Sequence, residues 1–474
     1  MLDFYNDFKP IRNLLSELNI FGVFMELDNL LNKHVFVPEV LEFVFINSII
    51  YCPDYGRNNL NDKQKEWNKI LTLSAKLNEK LDKNWIENQG IFNYLHKGVL
   101  NQLKSGSEDF FHYYRYYYIF SKRTISDHIE SVLGMPYHDF YICSMWIYSI
   151  FKQQSFAVDK NYFFQSKQNG TMISEENIRR TLSILSISLA DLRSVLKKEI
   201  VYDMNTFITH EYSHVRFPII ENNDIIFCLF RNQLLNQITS GMYYVSEIYK
   251  NDKLSKPFGD GFEDYVELVL NRCNLSNKMQ IRKEIKYIKK DSEARTSDII
   301  IESAQDIVFI ECKTKRLRIE SKKYSSVLPS DINEIVKAVV QVYKVYSDYS
   351  NNLIPDLSFA PNKSFVPLVV TLEEWYAGTP DVADDIAVLV KSSLRELNLD
   401  DAITDEFKYH IISIANFEKE AQIMFVIGFS NYFDQLKRGK LNKEEFKYRN
   451  LFDDDFYNSF IKPLEKQFTD MKIK

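Results

Sequence analysis

The sequence predicts a chain of two parts: a mainly α-helical N-terminal domain, then an α/β (α+β) C-terminal domain whose mixed central sheet is flanked by helices. Three observations predict it. Apolar residues recur at helical spacing as far as about residue 200, and the order after Pro257 becomes helix, strand, strand, strand, helix, strand. Chain breakers are also scarce, with 13 Gly and 12 Pro among 474 residues, which favours long helices. That length exceeds what one ordinary core serves, so several domains are expected.

Composition narrows the function classes. Hydrophobic content of 45% and charged content of 26% are those of a globular protein, and 29 Tyr with 35 Phe supply large buried contacts. A net charge of −6 excludes a basic coat over the whole surface but not a local basic site. Cys52, Cys143, Cys228, Cys273 and Cys312 form no CxxC pair, which suits free thiols in a reducing compartment. Met1-Leu2-Asp3-Phe4 lacks the basic-then-apolar order of a signal peptide, and the best apolar stretch, Tyr141 to Phe151, is too short to span a bilayer. A cytoplasmic protein with no membrane partner is the expectation.

In chain order, Asp62 to Trp85 and Ser174 to Lys198 space apolar residues by three and four with charges between, as amphipathic helices do. Phe110 to Phe120 is almost wholly aromatic. Its rings could stack on bases, with His112 and Arg115 on phosphate, but the same pattern reads as a buried helix, and that reading is preferred. Arg216 to Ile220 and Ile225 to Phe230 read as short strands around the turn Glu221-Asn222-Asn223-Asp224. Asn232 to Tyr249 is helical, and the polar stretch Asn251 to Lys256 is taken as a linker. The division is therefore 1–205, a helical recognition or partner domain; 206–256, a hairpin and helix connector; and 257–474.

In the last part, Gly259 to Arg272 is helical with Phe262, Val266, Val269 and Leu270 on one face, and Lys278 to Ile288 is a strand. Ser297 to Glu302 and Ile307 to Lys313 form a hairpin. Asp331 to Tyr346 is a helix opened by the capping box Asp331-Ile332-Asn333-Glu334, and Val366 to Leu372 is an apolar strand. Tyr409 to Ile414 and Ala421 to Gly428 add β-like runs.

The hairpin carries the chemistry. With Ala304-Gln305 as its turn, Glu302 faces Ile307, Ile300 faces Phe309 and Asp298 faces Glu311. Directly opposed side chains share a face, with Cβ atoms roughly 4.5–5.5 Å apart. Lys313, two residues beyond Glu311, joins that face, while Ile299, Ile301, Val308, Ile310 and Cys312 point to the other. Opposed carboxylates repel unless something offsets them. A hard divalent cation would, and Mg2+ suits oxygen ligands shared with substrate phosphate and water.

Asp298, twelve intervening residues, then Glu311-Cys312-Lys313 resembles the signature of the PD-(D/E)XK nuclease superfamily. The resemblance implies a restriction-endonuclease-like fold over 257–474, covering about 255–375 well. It implies Mg2+- or Mn2+-dependent hydrolysis of phosphodiester bonds, DNA favoured over RNA, with Asp298 and Glu311 on metal and Lys313 assisting the attacking water. In that family the preceding helix often bears an acidic residue. Phe258-Gly259-Asp260-Gly261-Phe262-Glu263 is similar to its start, which makes Glu263 a third metal-binding and catalytic residue and Glu267 the second choice. Gln341 and Lys344 share a polar face with Lys337 on the helix after the ExK strand, and with Arg316 and Arg318 they are candidate nucleic-acid contacts. Ser297 stands where the name-giving proline would. From Lys278 to Lys323 there are 13 Lys and Arg against 8 Asp and Glu, a local surplus of five positive charges.

His210-Glu211-Tyr212-Ser213-His214 competes with this reading, because HExxH on a helix binds zinc in peptidases. It needs a helix through His214, and Val215-Arg216-Phe217-Pro218 turns strand-like at once. The expectation is a Mg2+-dependent endonuclease, with anti-phage defence or restriction as the role suggested by analogy. A partner protein of the same system and a homo-oligomer are both compatible with it. A non-cleaving nucleic-acid-binding or assembly protein on a nuclease fold is the alternative, and a zinc metallopeptidase the weaker one.

Overall fold

The computed structural model describes residues 4–33, 38–54, 63–105, 110–153, 155–164, 173–200, 202, 213–315, 328–375 and 380–462; of 85, 88–105, 110, 328–331 and 380–381 it describes the backbone alone. The chain is mixed α/β with a helical N-terminal region. It divides into two compact units, Met1–Glu108 with Ser126–Lys250 and Gln467–Lys474, and Asp109–Ile125 with Asn251–Lys466. No helix among the described residues is long and apolar enough to cross a membrane.

In the first unit, helices Phe4–Leu15, Ile20–Lys33, Pro38–Tyr51 and Gln64–Ser105 bury Phe8, Phe24, Val44, Trp67 and Ile70 in one core. The sheet of this unit is small. Its strands, β1 (Ala157–Asp159), β2 (Ser186–Ser188), β3 (Ile219–Asn222) and β4 (Ile225–Phe227), lie in the order β1-β4-β3-β2. The expected helix Ser174 to Lys198 is two helices, Glu175–Leu185 and Leu189–Glu199, because β2 intervenes. Ser174 and Ser188 cap the two starts by accepting N–H bonds from Asn177 and Asp191, each at 3.0 Å. Asn232 to Tyr249 is likewise interrupted after Ile238.

In the second unit, helix Asp252–Cys273 begins at the polar stretch expected as a linker. The Asn251 side chain accepts the Lys253 N–H and starts the helix, and Leu254 and Phe258 bury its first turns, so those polar residues are only the solvent side of an amphipathic helix. The main sheet has five strands: β5 (Gln280–Lys283), β8 (Ile299–Glu302), β9 (Asp306–Lys313), β10 (Ser364–Thr371) and β11 (His410–Ser413). Their order is β11-β10-β9-β8-β5, with β5, β8 and β9 antiparallel and β9, β10 and β11 parallel. Helices Leu328–Ser350 and Pro380–Glu396 supply the two parallel crossovers, as parallel pairing requires. The first buries the apolar stripe Ile332, Ile335, Val336, Val339 and Tyr343.

The hairpin β8–β9 has the expected register, Ile299 to Ile310 through Glu302 to Ile307, with the Ser303 N–H closing the turn on the Asp306 carbonyl. Lys278 to Ile288 is not one strand. At Ile285 the chain leaves the sheet, exchanging backbone and side-chain bonds with Thr296, and enters a separate ribbon of β6 (Lys286–Lys289) and β7 (Ser292–Arg295). Ala421 to Gly428 is not β structure but the end of helix Ile414–Ile427, whose buried Ile414, Phe417, Ala421 and Met424 have helical spacing.

Phe110 to Phe120 is a buried helix. Phe111, Tyr113, Tyr114, Tyr116 and Phe120 are buried, and Arg115 makes a two-pronged ion pair with Glu418, 2.8 Å from Nε and 2.6 Å from Nη2. The Tyr265 hydroxyl donates to the same Glu418 carboxylate at 2.8 Å. Arg115 is therefore no phosphate ligand.

Candidate functional site

The sheet rim at the C-terminal end of β9 collects the acidic residues. Asp298 immediately precedes β8, and its Oδ2 accepts the Cys312 backbone N–H at 2.7 Å. Glu311 is 4% exposed and takes a bond from Lys313 Nζ at 2.9 Å. That side-chain bond between positions i and i+2 is what alternation on a strand allows. Pairing β9 to β10 sets Lys313 beside Thr371, so the rim is flanked by a buried parallel strand.

Helix Asp252–Cys273 supplies the third carboxylate. Its buried face (Phe258, Phe262, Tyr265, Val266, Val269) leaves Glu263 half-buried beside the rim. Burial, then Asp298 and Asp260, push the Glu263 carboxyl up to about 7, against the pull of Lys313. Burial, then Asp298, push Glu311 up to about 8 despite Lys313. Asp298 is raised too, by burial and by Glu284 and Asp260, while Lys313 and the Cys312 N–H oppose. Burial works against the Lys313 charge, but Glu311 and Asp298 outweigh it and hold the ammonium protonated. These shifts mark a water-poor patch in which, among the described residues, the acid groups outnumber the Lys313 ammonium that offsets them.

Asp260 and Glu284 belong to this electrostatic neighbourhood and were not singled out from sequence. Asp260 lies one helical turn before Glu263, and that spacing was the available signal. Glu284 immediately follows the strand that pairs with β8, and no motif marks it. Glu267 does not join the group, because it is paired with Lys283 at 3.0 Å alongside Asp264 at 2.7 Å.

Gln341 lies near the ribbon, its amide 3.5 Å from the Arg295 carbonyl, and Lys344 is exposed one turn on. Among the described residues neither bonds to the three carboxylates. Arg316 and Arg318, and also His210 and Glu211, lie outside the described residues. His214 sits in the short helix Ser213–Arg216, where strand had been expected from Arg216. Its Nε2 is 2.9 Å from Glu42, and its ring lies against Phe45 within the core.

Among the described residues no three His, Cys, Asp or Glu are gathered closely enough to hold a metal ion. Asp298 is turned to a backbone N–H and Glu311 to Lys313, an arrangement that satisfies two crowded acids without an ion. The donor chemistry nonetheless fits a hard divalent cation: the three candidate donors are carboxylates, their pKa values raised first by burial and then by neighbouring acids, and a cation would offset both. All five cysteines are free and buried.

No family model, curated protein or solved structure matches this chain.

Proposed function

We propose that the second unit is a restriction-endonuclease-like domain that hydrolyses phosphodiester bonds with the help of Mg2+ or Mn2+, on DNA in preference to RNA. One observation supports this above all: Asp298, Glu311 and Lys313, the residues on which the resemblance to the PD-(D/E)XK signature rests, come together at one rim of the sheet with Glu263 beside them.

Asp298, Glu311 and Glu263 would hold the cation, which when bound supplies charge to polarise a phosphoryl oxygen and to acidify a water. Lys313 contributes a fixed ammonium in a water-poor patch, where it orients the attacking water and offsets charge growing on the phosphate. The Cys312 N–H holds the Asp298 carboxylate in place, and the inward Cys312 side chain anchors that strand in the core. The helical N-terminal unit then serves partner or substrate recognition, and anti-phage defence or restriction in the cytoplasm is the setting this suggests by analogy. A non-cleaving nucleic-acid-binding or assembly protein is the second reading, favoured by the bonds that Glu311 takes from Lys313 and Asp298 from the Cys312 N–H, which engage both acids of the hairpin within the chain.

The test incubates the purified chain with plasmid, linear duplex and RNA, in Mg2+, Mn2+ or chelator. Cutting is expected only with metal, and Lys313→Ala is expected to lower its rate by about 10²–10³ while the far-UV circular dichroism spectrum stays that of the native fold. Equal cutting by Lys313→Ala removes the mechanism. Absence of cutting on all three substrates in favour of metal-independent binding supports the second reading.

A further inference from the structure

The β6–β7 ribbon has two unlike faces. The strands pair antiparallel from Lys286–Arg295 to Lys289–Ser292, and the turn residues Lys290 and Asp291 both have positive φ, 47° and 63°. That is the backbone of a tight two-residue hairpin whose twist matches its strands, although neither residue is glycine. On one face, Tyr287 and Lys289 both reach Asp348 on helix Leu328–Ser350, the Tyr287 hydroxyl at 2.6 Å. The ribbon base is held near the same helix by Gln341 at the Arg295 carbonyl. Asp348 thus ties the inner face of the ribbon to that helix.

Alternation sends Lys286, Ile288, Glu293 and Arg295 to the other face, away from that helix. All four are exposed, and Ile288 is 71% exposed. Glu293 lies between Arg295 at 3.1 Å and Lys286 at 3.5 Å, so it keeps both long cationic side chains extended across the face. Lys290 stands at the tip. A lone exposed isoleucine is ordinary on a protein surface. Here it lies beside Glu293 on a two-stranded face where Lys286 and Arg295 outnumber that one acid, inside the segment that carries the local surplus of positive charge.

We propose that this outward face is the surface on which the chain takes duplex DNA, seated face-on in the major groove. The inference rests on the nuclease reading for its biological sense but not for its geometry. Two strands about 4.8 Å apart, widened by their side chains, fit a major groove about 12 Å across that admits a β-ribbon. Lys286 and Arg295 at the base and Lys290 at the tip meet phosphates on the groove walls, while Ile288 points at the floor, where the thymine methyl is the apolar mark. The deep, narrow major groove of duplex RNA does not admit side chains from such a ribbon, so the face selects DNA. Its position also serves the site. Arg295 pairs with Glu284 at 3.4 Å, Glu284 acts on Asp298 and Glu263, and Asp298 is three residues further along the chain.

The experiment measures binding of the full chain to a fluorescent 24-base-pair DNA duplex, its RNA counterpart and the single strand. It is done in chelator so that nothing is cut, across a series of salt concentrations. Lys286→Ala with Lys290→Ala is expected to weaken duplex-DNA binding by about tenfold and to flatten the salt slope by roughly two, one per lost phosphate contact. Ile288→Ser is expected to erase any preference for a thymine duplex over its uracil-substituted equivalent. Both variants alter exposed side chains only, and an unchanged melting temperature confirms that they fold. Unaltered affinity and salt slope in the double variant, or tighter binding of RNA duplex or single strand by the native chain, overturns the proposal. If the native chain binds duplex DNA through the ribbon yet cuts nothing in Mg2+, the ribbon stands and the cleavage reading falls.

Discussion

Glu418→Gln should damage the second unit more than any exposed substitution. The Glu418 side chain is fully buried and that of Arg115 is 4% exposed, and the pair is joined by two parallel bonds with Tyr265 as a third donor. Glutamine keeps the shape but removes the countercharge, and it turns an NH2 group towards one guanidinium N–H. Removing one partner of a buried ion pair costs about 3–5 kcal/mol, because the other charge is left in a medium that does not solvate it. For a unit of this size each kcal/mol moves the midpoint by roughly 2–4 °C, so the variant should melt about 6–20 °C early by circular dichroism. Replacing both partners (Arg115→Met with Glu418→Leu) should recover most of that loss. The remainder, about 1–3 kcal/mol, is the orphaned Tyr265 hydroxyl, and adding Tyr265→Phe should restore it. The reasoning fails if Glu418→Gln melts within about 2 °C of the native chain, or if the double variant is no better than the single one. Tyr265 follows Glu263 by two positions on one helix, so the same network fixes the rotation that presents Glu263 to the sheet rim.

Two further outcomes follow from the sheet and its last helix. Burial, with a smaller push from Lys408, lowers His410 from 6.5 to about 4, and its ring stacks on Phe433 at 3.5 Å. The folded unit therefore prefers the neutral ring. That contribution is complete above pH 6.5 and is lost as pH falls through 4, about 2–3 kcal/mol by pH 4.5. His410→Leu should remove this part of the acid sensitivity in melts between pH 7.5 and 4.5, and parallel curves for both proteins would count against it. Gly428 has a φ of +91°, and a Cβ there would lie 3.4 Å from Asp306 Oδ2. Gly428→Ala should cost about 1–3 kcal/mol in urea unfolding, and no change in midpoint would show that the turn has other conformations open to it.

Among the features legible in the sequence were those that a short period enforces. The stripe on helix Leu328–Ser350 shows such a period. The β8–β9 register was legible through its turn, because placing Ala304-Gln305 between the apolar runs 299–301 and 307–310 fixes which residues face one another. The burial of Phe110 to Phe120 was legible through its aromatic content. Harder to read were places where tertiary bonds override local pattern. Thr296 diverts the chain at Ile285, which splits one expected strand into β5 and β6. The polar residues 251–256 form the outer side of a helix whose inner side is secured by Leu254 and Phe258. Ala421 to Gly428 has the apolar content of a strand, and only the longer window from Ile414 reveals the helical period. Glu284 could not be found, because its place beside Asp298 depends on the β5–β8 pairing rather than on any spacing near it.

The strand that bears Glu311 and Lys313 also answers to a distant part of the chain. Its first residue, Asp306, accepts the Phe429 N–H at 3.0 Å and the Ser430 hydroxyl at 2.5 Å, and its length is matched residue for residue by β10, beginning at Ser364. A ribosome that has just released the Glu-Cys-Lys triplet has therefore not yet made the scaffold that steadies it. One edge of that strand waits for some fifty more residues, and its foot waits for more than a hundred. Assembly of the acidic rim is thus deferred until residues 364–371 and 429–430 have been made, and a chain stalled before residue 429 would carry the rim side chains without the frame that sets them.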